Sequence, residues 1–245
     1  VRSRRQRQMC IRDSPYIMGD QSFISSLKLL QEHGADIVEI GIPFSDPVAD
    51  GPTIMEAGNK AIAEGMTVEK ILQELQQHRD TLHGRYVLMT YYNIIHHYGE
   101  TEFLSACEEA GVYGLIIPDL PFELIEEMKR RHPERQVKLI SLIAMTASEA
   151  RVKRIAEHAE GFIYTVTMNA TTGEDGTFHP DVKTTIQRLK SYTSVPVVAG
   201  FGIRTPEHVR DIASVADGVV IGSEIVRRFA SQDRATIITL SLIHI

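Results

Sequence analysis

The chain has 245 residues, 43% of them hydrophobic and 24% charged, an ordinary globular composition with enough apolar side chains for one large core. Five arginines crowd into residues 1–12 and mask an acidic remainder, 21 basic against 32 acidic residues, which argues against a nucleic-acid partner. No run of 18 apolar residues suggests a membrane span. Only two cysteines are present, Cys10 and Cys107, with no C-x-x-C, so a disulfide framework or structural zinc is not expected and a reducing cytoplasm fits.

Residues 1–14, VRSRRQRQMCIRDS, have no helical or strand period and no signal-peptide apolar region. They read as a non-native, read-through segment, and LSLIHI at 240–245 reads the same way. That leaves 15–239 as one domain. Within it, short β-branched runs fall at 16–18, 36–41, 86–91, 113–118, 137–142, 161–165, 195–199 and 218–221. Stretches of helical period separate them, including 23–33 (Phe23, Leu27, Leu30), 68–78 (Ile71, Leu72, Leu75) and 182–192 (Val182, Ile186, Leu189). Thr67, Ser148 and the Thr205-Pro206-Glu207 sequence are start signals, and Gly34, Gly65 and Gly111 sit where helices should stop. Eight strand–helix units with no linker predict a single closed (β/α)8 barrel.

The second strand, within ADIVEIGIPFSDPVADGPTI, carries a glutamate. Alternation puts Val38, Ile40 and Ile42 on one face and Ile37, Glu39 and Gly41 on the other. In a barrel the second set points into the lumen, near the end of the strand where barrel active sites lie. An unpaired carboxylate buried there costs several kcal/mol or takes a raised pKa, which suits a general acid or base. The other reading is a lumen ion pair, for which the remaining strands offer no obvious basic residue. Pro43, Pro47 and Pro52 break the following loop, which can bring Asp50 over the mouth opposite Glu39. Asp50 also reads as an Asx-turn or helix N-cap residue, and Asp46 as turn chemistry.

After the sixth strand, residues 167–180 form a polar, glycine-containing stretch of the size of a lid. The last two strand–helix loops carry Gly200-Phe201-Gly202 and Gly222-Ser223. Glycine lets backbone approach a ligand, helix N-termini attract anions, and these two loops are the usual barrel phosphate site. A phosphate monoester substrate is therefore expected. Neither G-x-G-x-x-G nor a P-loop is present. His96-His97 lack partners at metal spacing and read as solvated loop; Cys107 reads as a packed thiol and KRRHPER (129–135) as a solvated helix end.

VEIGIPFSDPVADGPTI closely resembles the signature of the tryptophan synthase alpha subunit family, and PYIMGD, GLIIPDLP, ATTG, AGFGI and IGSEIV follow in the matching order over residues 15–235. The resemblance implies a (β/α)8 TIM barrel lyase of tryptophan biosynthesis that splits indole-3-glycerol phosphate into indole and glyceraldehyde 3-phosphate. It implies Glu39 as the proton donor to indole C3 and Asp50 as the carboxylate that meets the indole N–H. Gly173, Gly202, Gly222 and Ser223 match phosphate-contacting positions, Thr172 the lid threonine, and Tyr16, Tyr164 and Phe201 the indole pocket. It implies no metal and no cofactor in this chain. The expected partner is a beta subunit carrying pyridoxal phosphate, in an alpha2-beta2 heterotetramer, with Asp46 and 118–121 on the contact side. The chain departs from the family in a first turn one residue shorter, an N-terminal helix replaced by the arginine-rich segment, a truncated last helix and a different lid sequence. Two further readings stand beside this one: a sugar-phosphate isomerase or epimerase on another phosphate-binding barrel, and a non-catalytic activator of a beta subunit.

Overall fold

A computed structural model describes residues 13–166, 182–200 and 206–231, with positions 233 and 237. Eight strands form a closed barrel in sequence order: β1 (Asp13–Met18), β2 (Ile37–Gly41), β3 (Arg85–Met89), β4 (Gly114–Ile116), β5 (Lys138–Ala144), β6 (Ile163–Val166), β7 (Val197–Gly200) and β8 (Gly218–Ile221). Every neighbouring pair is parallel, and β1 closes the ring on β8 through Ser14 beside Val220 and Pro15 beside Ile221. Around it lie α1 (Phe23–Glu32), α2 (Pro52–Ala63), α3 (Val68–His78), α4 (Tyr92–Tyr98), α5 (Glu100–Glu109), α6 (Phe122–Arg131), α7 (Glu149–Glu157), α8 (Val182–Tyr192), α9 (Pro206–Ala213) and α10 (Ser223–Ala230). Among the described residues no helix is long and apolar enough to cross a membrane.

Strand alternation divides the core in two. Ile37, Val87, Ile116, Ile140, Phe162, Val198 and Val220 fill the lumen. Val38, Ile40, Leu88, Leu115 and Leu139 face outward and meet the helix stripes, such as Phe23, Leu27 and Leu30 of α1 and Ile71, Leu72 and Leu75 of α3. The caps expected from sequence are in place where the chain is described. Thr67 Oγ1 accepts the Lys70 N–H and Ser148 Oγ accepts the Arg151 N–H, both at 3.4 Å. Gly34, Gly65 and Gly111 end their helices at φ of 92°, 81° and 76°, a conformation other residues rarely adopt.

Four expectations change. The β3 run stops at Met89, and Tyr91 becomes the residue preceding α4 instead of strand. His96 and His97 are therefore exposed on the last turn of a helix, not in a loop. That helix exists because the Asp119 carboxylate takes its first N–H, from Tyr92, at 3.0 and 3.2 Å, and because Ile95 is fully buried. The KRRHPER stretch is not simply solvated. Arg131 donates twice to Glu100 at 2.8 Å, and His132 meets the same carboxylate at 2.7 Å. With the Arg131 bonds leading, this cluster holds Glu100 down at about 2 and ties α5 to α6. Finally, β1 begins at Asp13, so two residues of the segment set aside at 1–14 belong to the barrel wall.

Candidate active site

Glu39 lies in β2, in register with Tyr16 of β1 and Val87 of β3. Alternation turns it into the lumen above the apolar floor, where it is 1% exposed. The Ser14 hydroxyl donates to Oε1 at 3.1 Å; among the described residues Oε2 is buried without a partner. Burial outweighs the Ser14 bond and pushes the carboxyl from 4.5 up to about 8, and no cation contributes to the shift. At neutral pH this group holds its proton, and its bare oxygen can serve a ligand. Among the described residues no lumen ion pair forms on Glu39.

Asp50 comes from the loop between β2 and α2. The N-cap position of α2 is Gly51, followed by Pro52 at the first helical position, so Asp50 is free of the capping role that its sequence allowed. Its Oδ2 accepts the Tyr91 hydroxyl at 3.1 Å, and that same hydroxyl accepts the Ala49 N–H at 3.1 Å. Tyr91 is 5% exposed, with its ring 5.1 Å from that of Phe44. It thereby holds the Asp50 loop by two bonds and a ring contact. Partial burial raises the Asp50 carboxyl, and the Tyr91 bond opposes that rise. Asp46, in contrast, is exposed, and among the described residues it is bonded to the neighbouring Ser45 hydroxyl alone.

Tyr16 and Tyr164 enter the lumen from β1 and β6. Burial is the main reason both phenols are held well above their usual range, and the charges of Asp50 and Glu39 reach both. Each ring occupies space that a glycine leaves open. A Cβ at Gly41 would stand 1.8 Å from the Tyr16 hydroxyl oxygen, and one at Gly200 would stand 2.2 Å from that of Tyr164. Gly41→Ala should therefore cost about 1–3 kcal/mol of stability, the usual range for overpacking, as read from urea denaturation. A variant as stable as the parent would mean that Tyr16 has another place to go.

Gly222 precedes α10, and the first intrahelical bond there runs from the Val226 N–H to the Gly222 carbonyl at 3.1 Å. The amides of the first turn, Ser223 included, thus lack an intrahelical acceptor and form the anion-attracting end of the helix. The acidic residue in that turn, Glu224, is bound by Arg227 and Arg228 and does not repel an anion as a bare carboxylate would. Gly200 ends β7, the strand that pairs with β8. Thr172, Gly173, Phe201 and Gly202 lie outside the described residues. Among the described residues, no three His, Cys, Asp or Glu side chains group as metal ligands.

The structure thus brings together Tyr16, Glu39, Asp50 and Tyr164 at one mouth, with Gly222 and Ser223 at the start of the helix after β8. Sequence reading missed Ser14 and Tyr91, the two hydroxyls that hold the carboxylates. It also missed Met89 and Leu142, which pack against the lumen cluster that contains Ile116 and Tyr164. Strand alternation marks those apolar positions. If Ser14→Ala removes the bond that lowers the Glu39 pKa, the fall in kcat/KM above about pH 8 should move to higher pH. An unmoved alkaline limb would dissociate that limb from Glu39.

A profile of the family described as "Tryptophan synthase alpha chain" matches residues 15–241. Two curated relatives of that description are similar over 224 residues, which is 91% of this chain. The Staphylococcus saprophyticus protein is 64% identical with 93% of its length covered, and the Staphylococcus carnosus protein is 66% identical with 90% covered. Among solved structures, Mycobacterium tuberculosis tryptophan synthase aligns at TM-score 0.86 and 29% identity, over 98% of this chain and 92% of that one. The Pyrococcus furiosus tryptophan synthase complex aligns at 0.82 and 30%, over 95% of each.

Proposed function

Because the chain belongs to the tryptophan synthase alpha chain family, we propose that it cleaves indole-3-glycerol phosphate to indole and glyceraldehyde 3-phosphate. The observation that carries the reading is Glu39, a carboxyl held protonated to about pH 8 in an apolar lumen, with one oxygen unpartnered among the described residues. Glu39 gives its proton to indole C3, and the ring nitrogen becomes cationic. Asp50, facing that N–H, stabilises the charge. The Glu39 carboxylate then takes the proton of the glycerol hydroxyl on the carbon attached to C3. As that C–O becomes a carbonyl, the carbon–carbon bond breaks and its electron pair returns to the ring. Indole and the aldehyde leave, and Glu39 is again an acid. Two carboxyl groups in unlike surroundings supply the acid and the anion.

Tyr16, Tyr164 and Phe201 wall the indole. By family position, Gly173, Gly202, Gly222 and Ser223 are assigned to the phosphate, and Thr172 is assigned as the partner of Asp50. This reading takes 15–239, with the β1 residues 13 and 14, as the lyase domain and the cytoplasm as its location. Each step uses side chains alone, so the chain needs no cofactor; pyridoxal phosphate belongs to the beta subunit, its partner in an alpha2-beta2 complex. The mouth presents apolar side chains fit for such docking, Val48 at 73% exposure and Leu124 at 45%. The test is indole formation from indole-3-glycerol phosphate, with and without a beta subunit. Indole in both arms, faster with the partner, is expected. No indole in either arm would overturn the reading, and turnover of a ribulose or ribosylamine phosphate would replace it with a sugar-phosphate isomerase.

A further inference from the structure

We propose that Asp119 is a positioning residue for the Asp50 carboxylate, acting through the backbone at Tyr91 and Tyr92; the proposal rests on the catalytic reading of Asp50. Three successive strand–helix loops are bonded in series. Asp119, in the loop between β4 and α6, receives the Tyr92 N–H on both carboxylate oxygens. Tyr91 is the N-cap residue of α4, with extended backbone (φ −87°, ψ 146°) and no capping bond from its own side chain. A first-turn amide with no acceptor leaves a helix start poorly fixed. Asp119 supplies that acceptor from outside, and so sets where strand direction turns into helix direction. The residue at the turning point is Tyr91.

Its phenol then reaches across to the third loop, donating to Asp50 and accepting from the Ala49 N–H, both at 3.1 Å. A small rotation about the helix start moves a hydroxyl at the far end of a tyrosine by much more than it moves the backbone. The body of α4 is held separately by Ile95, which is fully buried, and the side chain of its first residue has a partner of its own. The Tyr92 hydroxyl donates to Glu100 at 3.0 Å, and Glu100 is gripped by Arg131 and His132 of the β4–α6 unit. With Ile95 buried and the Tyr92 side chain tethered, loss of Asp119 frees the Tyr92 N–H and the backbone at Tyr91 and leaves the helix docked. Asp119 itself is exposed, so its removal opens no buried cavity.

A double-mutant cycle with Asp119→Ala and Tyr91→Phe, assayed for indole formation with the beta subunit present, tests the coupling. Asp119→Ala should lower kcat/KM roughly tenfold, the size of effect that loss of a helix cap produces. In the Tyr91→Phe background the same change should cost less than twofold, whereas equal losses in both backgrounds would overturn the proposal. Asp119→Asn, which keeps an acceptor oxygen, should restore most of the rate. If Asp119→Ala fails to fold, Asp119→Glu, which keeps the charge but displaces it, takes its place in the cycle. A readout independent of turnover is the carboxyl carbon resonance of Asp50. Its midpoint should move upward in Tyr91→Phe and in Asp119→Ala, because both withdraw the hydroxyl that lowers it. Loss of the Asp119 charge alone would move it the other way, and that result would sink the proposal. If the parent enzyme makes no indole, the catalytic reading fails, while the resonance still decides whether Asp119 positions Asp50.

Discussion

Glu39→Gln is expected to reduce indole formation by roughly two to four orders of magnitude, the weight that proton transfer by a placed side chain usually carries. The amide matches the size of the protonated acid but has no proton of suitable acidity to give and cannot take one from the glycerol hydroxyl. The loss should fall on kcat, with KM little changed, because the lumen around residue 39 keeps its shape. The same variant should gain stability at alkaline pH. The native carboxyl keeps its proton to about pH 8, whereas in the unfolded chain it ionises near 4.5. Between those values the native state binds more protons, so rising pH costs stability, amounting to a few kcal/mol by pH 8. Gln removes that cost. Urea midpoints at pH 5 and pH 9 should therefore be similar to the parent at pH 5 and higher than the parent at pH 9. A kcat within tenfold of the parent would remove Glu39 from the proton path.

Asp50→Asn should lower kcat by about two to three orders of magnitude, comparable to deleting one preorganised group from a site where charge develops. Asparagine can still accept the Tyr91 hydroxyl through its carbonyl, so the loop should stay in position and the loss reports charge. Steady-state kinetics on the folded variant, with circular dichroism matching the parent, would separate this from misfolding. If Asp50→Asn retained more than a third of the parent kcat, the ring cation would have to be stabilised by another group.

Regular periodicity carried most of the architecture. The helices expected at 68–78 and 182–192 end where the structure ends them, and period-2 alternation alone placed Glu39 in the lumen. What could not be read depends on partners distant in sequence. The stretch TYYNII looks like more strand, since its aromatic and β-branched residues favour extended backbone. The carboxylate that turns it into α4 comes from 27 residues later. Tyr91 carries no local sign that it will meet Asp50, 41 residues earlier. Ser14 sits in a stretch whose composition gives no strand signal, and its value appears only once β1 lies beside Glu39. Carboxylates announce themselves by being costly to bury; the neutral hydroxyls that steady them do not.

The ring closes between the first strand and the last, with Ser14 and Pro15 beside Val220 and Ile221. A nascent chain on the ribosome can therefore zip strands in order, but its interior stays wet until the eighth has emerged and docked. A polypeptide stopped after residue 200 would lack β8 and with it part of the burial that raises the Glu39 carboxyl. The proton-donating property belongs to no local segment; it appears all at once, with the final pairing.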